Sequence, residues 1–174
     1  HYQFEMIHPF ERYNGIVGRI IVPMVLRDTI GEAMPLICLS EYLYHNKNEY
    51  FDLLRTTQYS GGYIRWIKFF VCAVGEAAKQ SAKLLAQYEN DILWAEQQIK
   101  ENTLSSKSIW GVYNYLKRYP VSSISRATEQ TRFSFNSISK AMQSLKEAGI
   151  VQETAEVRNR IWVHKKLIEN LWYF

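Results

Sequence analysis

Cysteine, proline and glycine are all scarce in this sequence of 174 residues, with two Cys, four Pro and eight Gly. Two cysteines cannot build a disulfide framework. Cys38 and Cys72 sit in apolar sequence, where buried thiols are expected and a single disulfide is the alternative. The four His lie apart, at 1, 8, 45 and 164, and make no zinc spacing with the cysteines. Few glycines and prolines exclude collagen-like and low-complexity chains. No apolar run reaches the roughly 18 residues that span a bilayer. The stretch Ile20–Leu26 is short and contains Pro23. A basic segment followed by an apolar one is missing at the start, so no secretory signal is expected and a cytoplasmic location is. An initiator Met is missing too, and His1 opens inside a helical pattern. The sequence therefore reads as a piece of a longer chain.

What is present fits a packed globular protein, with 47% hydrophobic and 22% charged residues. Charge is uneven. Residues 1–103 hold ten Lys/Arg and twelve Asp/Glu, whereas residues 104–174 hold eleven Lys/Arg and five Glu, hence −2 against +6. That asymmetry divides the chain into two domains, 1–103 and 104–174, and assigns any polyanion to the second.

Helical periodicity dominates. Tyr2–Ile7 is a helix end stopped at His8-Pro9, because a residue before proline avoids the α region. Asn14-Gly15 opens a helix to about Arg27, with Ile16, Ile20, Val25 and Leu26 as expected core and Pro23 inside it. Ser40 is the expected cap of the next helix, and Asn48–Thr57 forms another. From Tyr63 to about Glu101 apolar residues recur at three- and four-residue steps: Ile64, Ile67, Val71, Val74, Ala78, Leu85, Ile92 and Ile99. Asn102–Ser106 reads as a linker. Then follow helices Ser108–Arg118, Ser123–Glu129 and Phe135–Ala148, the last ended by Gly149. Ile150–Thr154 and Arg160–Val163 read as a hairpin, and Lys166–Leu171 as a last short helix.

Two constellations carry chemistry. The first is His8-Pro9-Phe10-Glu11-Arg12-Tyr13-Asn14-Gly15-Ile16-Val17-Gly18-Arg19. Free N–H groups at a helix start, with an arginine nearby, suit a phosphate, though an ordinary loop and N-cap explains the same residues. The wording is more specific. Residues 1–19 resemble the Fic motif, HPFx(D/E)GNGRxxR. Residues to about 101, including "VPMVL" and "CLSEYLYHNKNEYFDLL", are compatible with helices of that family. The resemblance implies transfer of AMP, or another phosphate-containing group, from a nucleotide to a protein hydroxyl. It implies His8 as general base, Phe10 as the anchor of the loop in the core, and Asn14, Gly15, Gly18 and Arg19 as phosphate-binding residues. ATP is then the substrate, with Mg²⁺ in the family. Three positions depart from the motif. Arg12 stands where the acidic Mg²⁺ ligand belongs, Tyr13 replaces the first glycine, and Ile16 replaces the first arginine. The expected activity is therefore weak, altered or absent. The resemblance also implies upstream helices and a target-docking loop, which these residues do not contain, and an inhibitory glutamate motif, which is not identifiable in them.

The second constellation is the order helix, helix, turn, helix, hairpin in Ser108–His164. It resembles the winged helix-turn-helix domains that many Fic proteins carry. The third helix would present Phe135, Asn136, Ser137, Ser139, Lys140 and Gln143 to the major groove. Arg126, Arg132 and the wing residues Arg158 and Arg160 would meet phosphates. Docking to protein is the alternative, since the wing also holds Glu153 and Glu156, and Trp162, Trp172, Tyr173 and Phe174 suit a core or an interface. The sequence thus predicts a mainly α chain: a Fic-like helical segment, then a winged helix with a small β-hairpin. The expected partners are a protein target, duplex DNA and a second copy of the chain, with no membrane. A non-catalytic Fic scaffold serving DNA binding or protein interaction is the rival.

Overall fold

The computed structural model describes residues 1–30, 37–102, 106–154 and 160–169. It is mainly helical with one small antiparallel sheet. Contacts divide it into two compact units, His1–Lys83 and Leu84–Phe174. No helix among the described residues is long and apolar enough to cross a membrane.

The first unit holds α1 (Tyr2–Ile7), α2 (Asn14–Ile30), α3 (Leu39–His45), α4 (Lys47–Ser60) and the start of α5 (Tyr63–Glu101). Its core gathers Val22, Leu39, Leu43, Tyr50, Leu53 and Leu54 with Trp66, Phe69, Ala73 and Ala77 of α5.

Here several sequence expectations are corrected. On α2 the buried positions are Asn14, Gly18 and Val22, one line at four-residue steps, while Ile16, Ile20 and Val25 are exposed. Gly18 is the reason. A Cβ there would collide with the Glu5 carboxylate of α1 and lie 3.2 Å from His1. The close approach of α1 and α2 needs the glycine face inward, which turns the isoleucines out. On α5, Ile64, Ile67 and Val71 are exposed, and Trp66, Phe69, Ala73 and Ala77 are buried instead. The helix carries two apolar stripes, and the one with the larger aromatic surface takes the core. Cys38 and Cys72 are exposed free thiols. Cys38 rather than Ser40 is the N-cap position of α3, and no side chain caps that helix.

The second unit holds the rest of α5, then α6 (Lys107–Arg118), β1 (Val121–Ser123), α7 (Ile124–Gln130), α8 (Phe135–Glu147), β2 (Val151–Glu153), β3 (Ile161–His164) and α9 (Lys165–Glu169). Serines start three of these helices. Ser106 accepts from Ile109 N, Ser123 from Arg126 N and Ser134 from Ser137 N. Gly149 takes φ +73° after α8, a left-handed turn that releases the chain into β2. The inward face of α8 is Ile138, Ala141, Met142 and Leu145, as its periodicity predicts. Phe133, in the turn before α8, packs over α6 at Gly111, where a Cβ would strike its ring.

The sheet order is β1-β3-β2, all antiparallel, with Ser122 opposite Trp162 and Glu153 opposite Trp162 on the other side. Strand β1 was not legible in the sequence. It has three residues, two of them serine, and pairing with β3 makes it a strand. The final part of α5 belongs to this unit. Ala95 and Ile99 enter its core, Tyr113 donates to Ile92 O at 3.1 Å, and Lys117 pairs with Glu96 at 3.0 Å.

Candidate functional site

Helix α1 ends because His8 adopts φ +47° and cannot continue a right-handed helix. This conformation brings its ring back over the last turn. Nδ1 lies 2.6 Å from Glu5 O. A carbonyl only accepts, so Nδ1 carries the proton and the lone pair of the neutral ring is on Nε2. His8 is exposed, so that lone pair can meet a proton donor from outside.

The loop from His8 to α2 is closed by one side chain. The Asn14 amide donates to Phe10 O at 2.6 Å and accepts from Phe10 N at 2.9 Å. Asn14 is buried, and both ends of its amide are used in this bracket. Tyr13 precedes it with φ +68°, the left-handed region, and its carbonyl accepts from both Ile16 N and Val17 N. The N–H groups of Asn14 and Gly15 lie in the first turn, which has no partner within the helix.

Arg19 is one turn further along α2. Its Nε donates to Ser40 Oγ at 3.0 Å, and a Cβ on Gly15 would lie 3.1 Å from its Nη1. Gly15 therefore lets the guanidinium fold toward the helix start. Of the residues expected to bind phosphate, Gly15 and Arg19 are thus brought together. Asn14 holds the loop, and Gly18 serves the packing of α1 on α2. Phe10, expected to anchor the loop in the core, is instead exposed, because the loop is held by the Asn14 amide on the Phe10 backbone; Arg12 is exposed too.

Behind the loop lies a polar cluster that sequence reasoning missed. His1 meets Gly18 O at 3.0 Å through Nδ1 and the Tyr50 hydroxyl at 3.1 Å through Nε2, and its ring stacks on Phe70 at 4.8 Å. Glu5 is buried beside it, 4.0 Å from His1 Nδ1, and its Oε1 has no hydrogen-bond partner among the described residues. Burial pushes the Tyr50 hydroxyl well above its ordinary pKa, the Glu5 charge adds to the rise, and Arg19 opposes it. The partners come from α2 and α4, so local sequence carried no signal for this cluster. Nor did it for Ser40, which is joined to Arg19 across 21 positions. Among the described residues no three of His, Cys, Asp and Glu are grouped to hold a metal ion.

In the second unit, Phe135, Asn136 and Lys140 are exposed on α8, at or near its start. Ser137 is half-buried, with its hydroxyl 3.0 Å from Ser134 Oγ. Arg126 is exposed on α7. Arg160 reaches Glu153 at 3.2 Å, and Lys146 reaches the same carboxylate at 2.8 Å. The Lys146 hydrogen bond holds the Glu153 carboxyl below its ordinary pKa. Arg158 lies outside the described residues, as do Glu156, Trp172, Tyr173 and Phe174.

No family model matches the chain.

Proposed function

We propose that this chain is part of a Fic-type nucleotidyltransferase with a degenerate loop, joined to a winged helix that binds duplex DNA. The observation that carries the first half is the contact of His8 Nδ1 with the Glu5 carbonyl, from which the tautomer is inferred. The contact is 2.6 Å long, and Nε2 is left as a base at an exposed position. A target hydroxyl there gives its proton to Nε2 as its oxygen bonds to the α-phosphorus of ATP. The bond from that phosphorus to pyrophosphate breaks, and AMP remains on the target. Arg19 and the first-turn N–H groups of α2 would face the phosphates.

The backbone at Tyr13 supports the resemblance independently. The motif has glycine at this position, and Tyr13 adopts φ +68°, a conformation that favours glycine. Mg²⁺ is a different matter. The motif's acidic position is Arg12, and a cation does not ligate a cation. Without that ligand the reaction is expected to be slow. The test is reversion. Arg12→Asp, Tyr13→Gly and Ile16→Arg together in the natural protein should raise ATP-dependent labelling of a protein hydroxyl by about 10²-fold or more. His8→Ala on that background should abolish it. If the triple variant labels no better than the wild type, the transferase reading is lost.

The second half rests on the topology of the second unit and on α8, which buries one face and leaves Phe135, Asn136 and Lys140 exposed. An amide at Asn136 suits adenine in the major groove. Asn136→Ala should change which duplex sequences are preferred while leaving general affinity in place. A wild type that binds no duplex at low salt would leave protein docking as the role of this surface.

A further inference from the structure

Two arginines of the second unit converge on one tyrosine ring. Arg118 ends α6 and Arg126 sits in the first turn of α7, with guanidinium carbons 5.6 and 5.9 Å from the Tyr119 ring centre. The ring itself is anchored. Tyr119 packs against the core, 5.2 Å from the Tyr115 ring, and the Tyr115 hydroxyl meets Ser122 Oγ at a buried 2.8 Å contact. Both guanidinium groups are exposed, and neither is in an ion pair among the described residues. Four other cations of this unit are engaged, whereas the exposed Lys107, Arg132, Lys140 and Lys165 share no such anchored ring among the described residues. Lys146 and Arg160 share Glu153, Lys117 has Glu96, and Lys166 lies 3.6 Å over the Trp94 ring.

The ring face attracts each cation, and neither charge is neutralised by a carboxylate among the described residues. Arg118 is at a helix C-terminus, where a cation is welcome, but Arg126 is at a helix N-terminus, where it is not. Such a pair is stabilised by an anion from outside. We propose that Arg118 and Arg126, held in place by Tyr119, clamp the phosphate backbone of duplex DNA. The clamp rests on the DNA-binding reading and shifts the phosphate contacts from the wing to the α6–α7 corner. The cations are exposed and separate, which suits a flexible run of phosphates better than a buried small anion. Tyr119 acts here as a positioning residue.

The test uses the 174-residue chain and a labelled random-sequence duplex of about 25 base pairs, titrated between about 50 and 200 mM salt. Arg118→Ala with Arg126→Ala should flatten the salt dependence by about 1.8 in log–log slope, so that the affinity lost over this range shrinks by about twelvefold. Arg160→Ala should change the slope much less. Tyr119→Leu should weaken binding at every salt concentration, and Tyr119→Phe, which keeps the ring, should restore it. Melting of Arg126→Ala should change little, since an exposed cation–ring contact contributes little to stability. An unchanged slope in the double variant, with the wild type still binding, overturns the clamp alone. So does a marked loss of stability in Arg126→Ala, which would make the ring stack structural. No wild-type binding at the lowest salt overturns both the clamp and the DNA-binding reading.

Discussion

His164 is wholly buried at the end of β3, and neither ring nitrogen has a hydrogen-bond partner among the described residues. Burial, joined by a smaller push from the Lys166 charge, lowers its pKa from 6.5 to about 4. The folded second unit therefore keeps this ring neutral, whereas an unfolded chain takes up a proton near pH 6.5. Stability from this group is fully present above pH 6.5. It is lost as pH falls toward 4, by up to about 3 kcal/mol. The measurement is urea unfolding of wild type and His164→Leu at several pH values. The wild type should lose stability across this window, and the variant should lose clearly less. Equal slopes would mean that the ring is not the group being protonated. At neutral pH the leucine should cost little, because it also removes two unsatisfied nitrogens.

At the scale of elements, two glycines separate packing from propensity. Gly18 of α2 faces Glu5 and His1 of α1, with no room for a Cβ. Gly75 of α5 is helical too, but a Cβ there meets nothing within 4 Å among the described residues. Gly18→Ala should destabilise the first unit by about 1–3 kcal/mol, because the helices must move apart or Glu5 must shift. Gly75→Ala should stabilise the chain by about 0.5–1 kcal/mol through backbone entropy alone. Thermal or denaturant melting checks both. An Ala at 18 that melts like wild type would mean that Gly18 is not what brings α1 and α2 together. The same contact governs the candidate site, since α1 ends at His8 and α2 carries Arg19. Gly18→Ala should therefore impair any His8-dependent labelling without touching a reacting group.

For the whole molecule the deciding feature is charge, −2 over residues 1–103 and +6 over residues 104–174. Polyanions should therefore be met by one part of the chain. Hydrogen exchange measured with and without a low-salt DNA duplex tests this directly. Protection is expected over the end of α6, α7 and the start of α8, within residues 117–140, and peptides of α1–α4 should be unaffected. Protection centred on residues 1–60 would move the polyanion site to the loop that carries His8 and Arg19.

Much of this was written locally. Periodicity placed α8 and its buried face, and the serines at 123 and 134 set their helices within a residue, because caps and amphipathic stripes act over a few neighbours. His8-Pro9 and Asn14-Gly15 placed the two ends of the loop in the same way. Other features depend on partners distant in sequence. Strand β1 exists because β3 pairs with it. The inward face of α2 was decided by how closely α1 approaches Gly18, and that of α5 by which of two apolar stripes buried more area. Arg19 meets Ser40 across 21 positions, and His1 meets Tyr50 across 49. The sequence by itself determined which side chains are available and where helices start and stop. Tertiary structure decided which of them face one another, because hydrophobic attraction is not directional and steric fit alone selects the face.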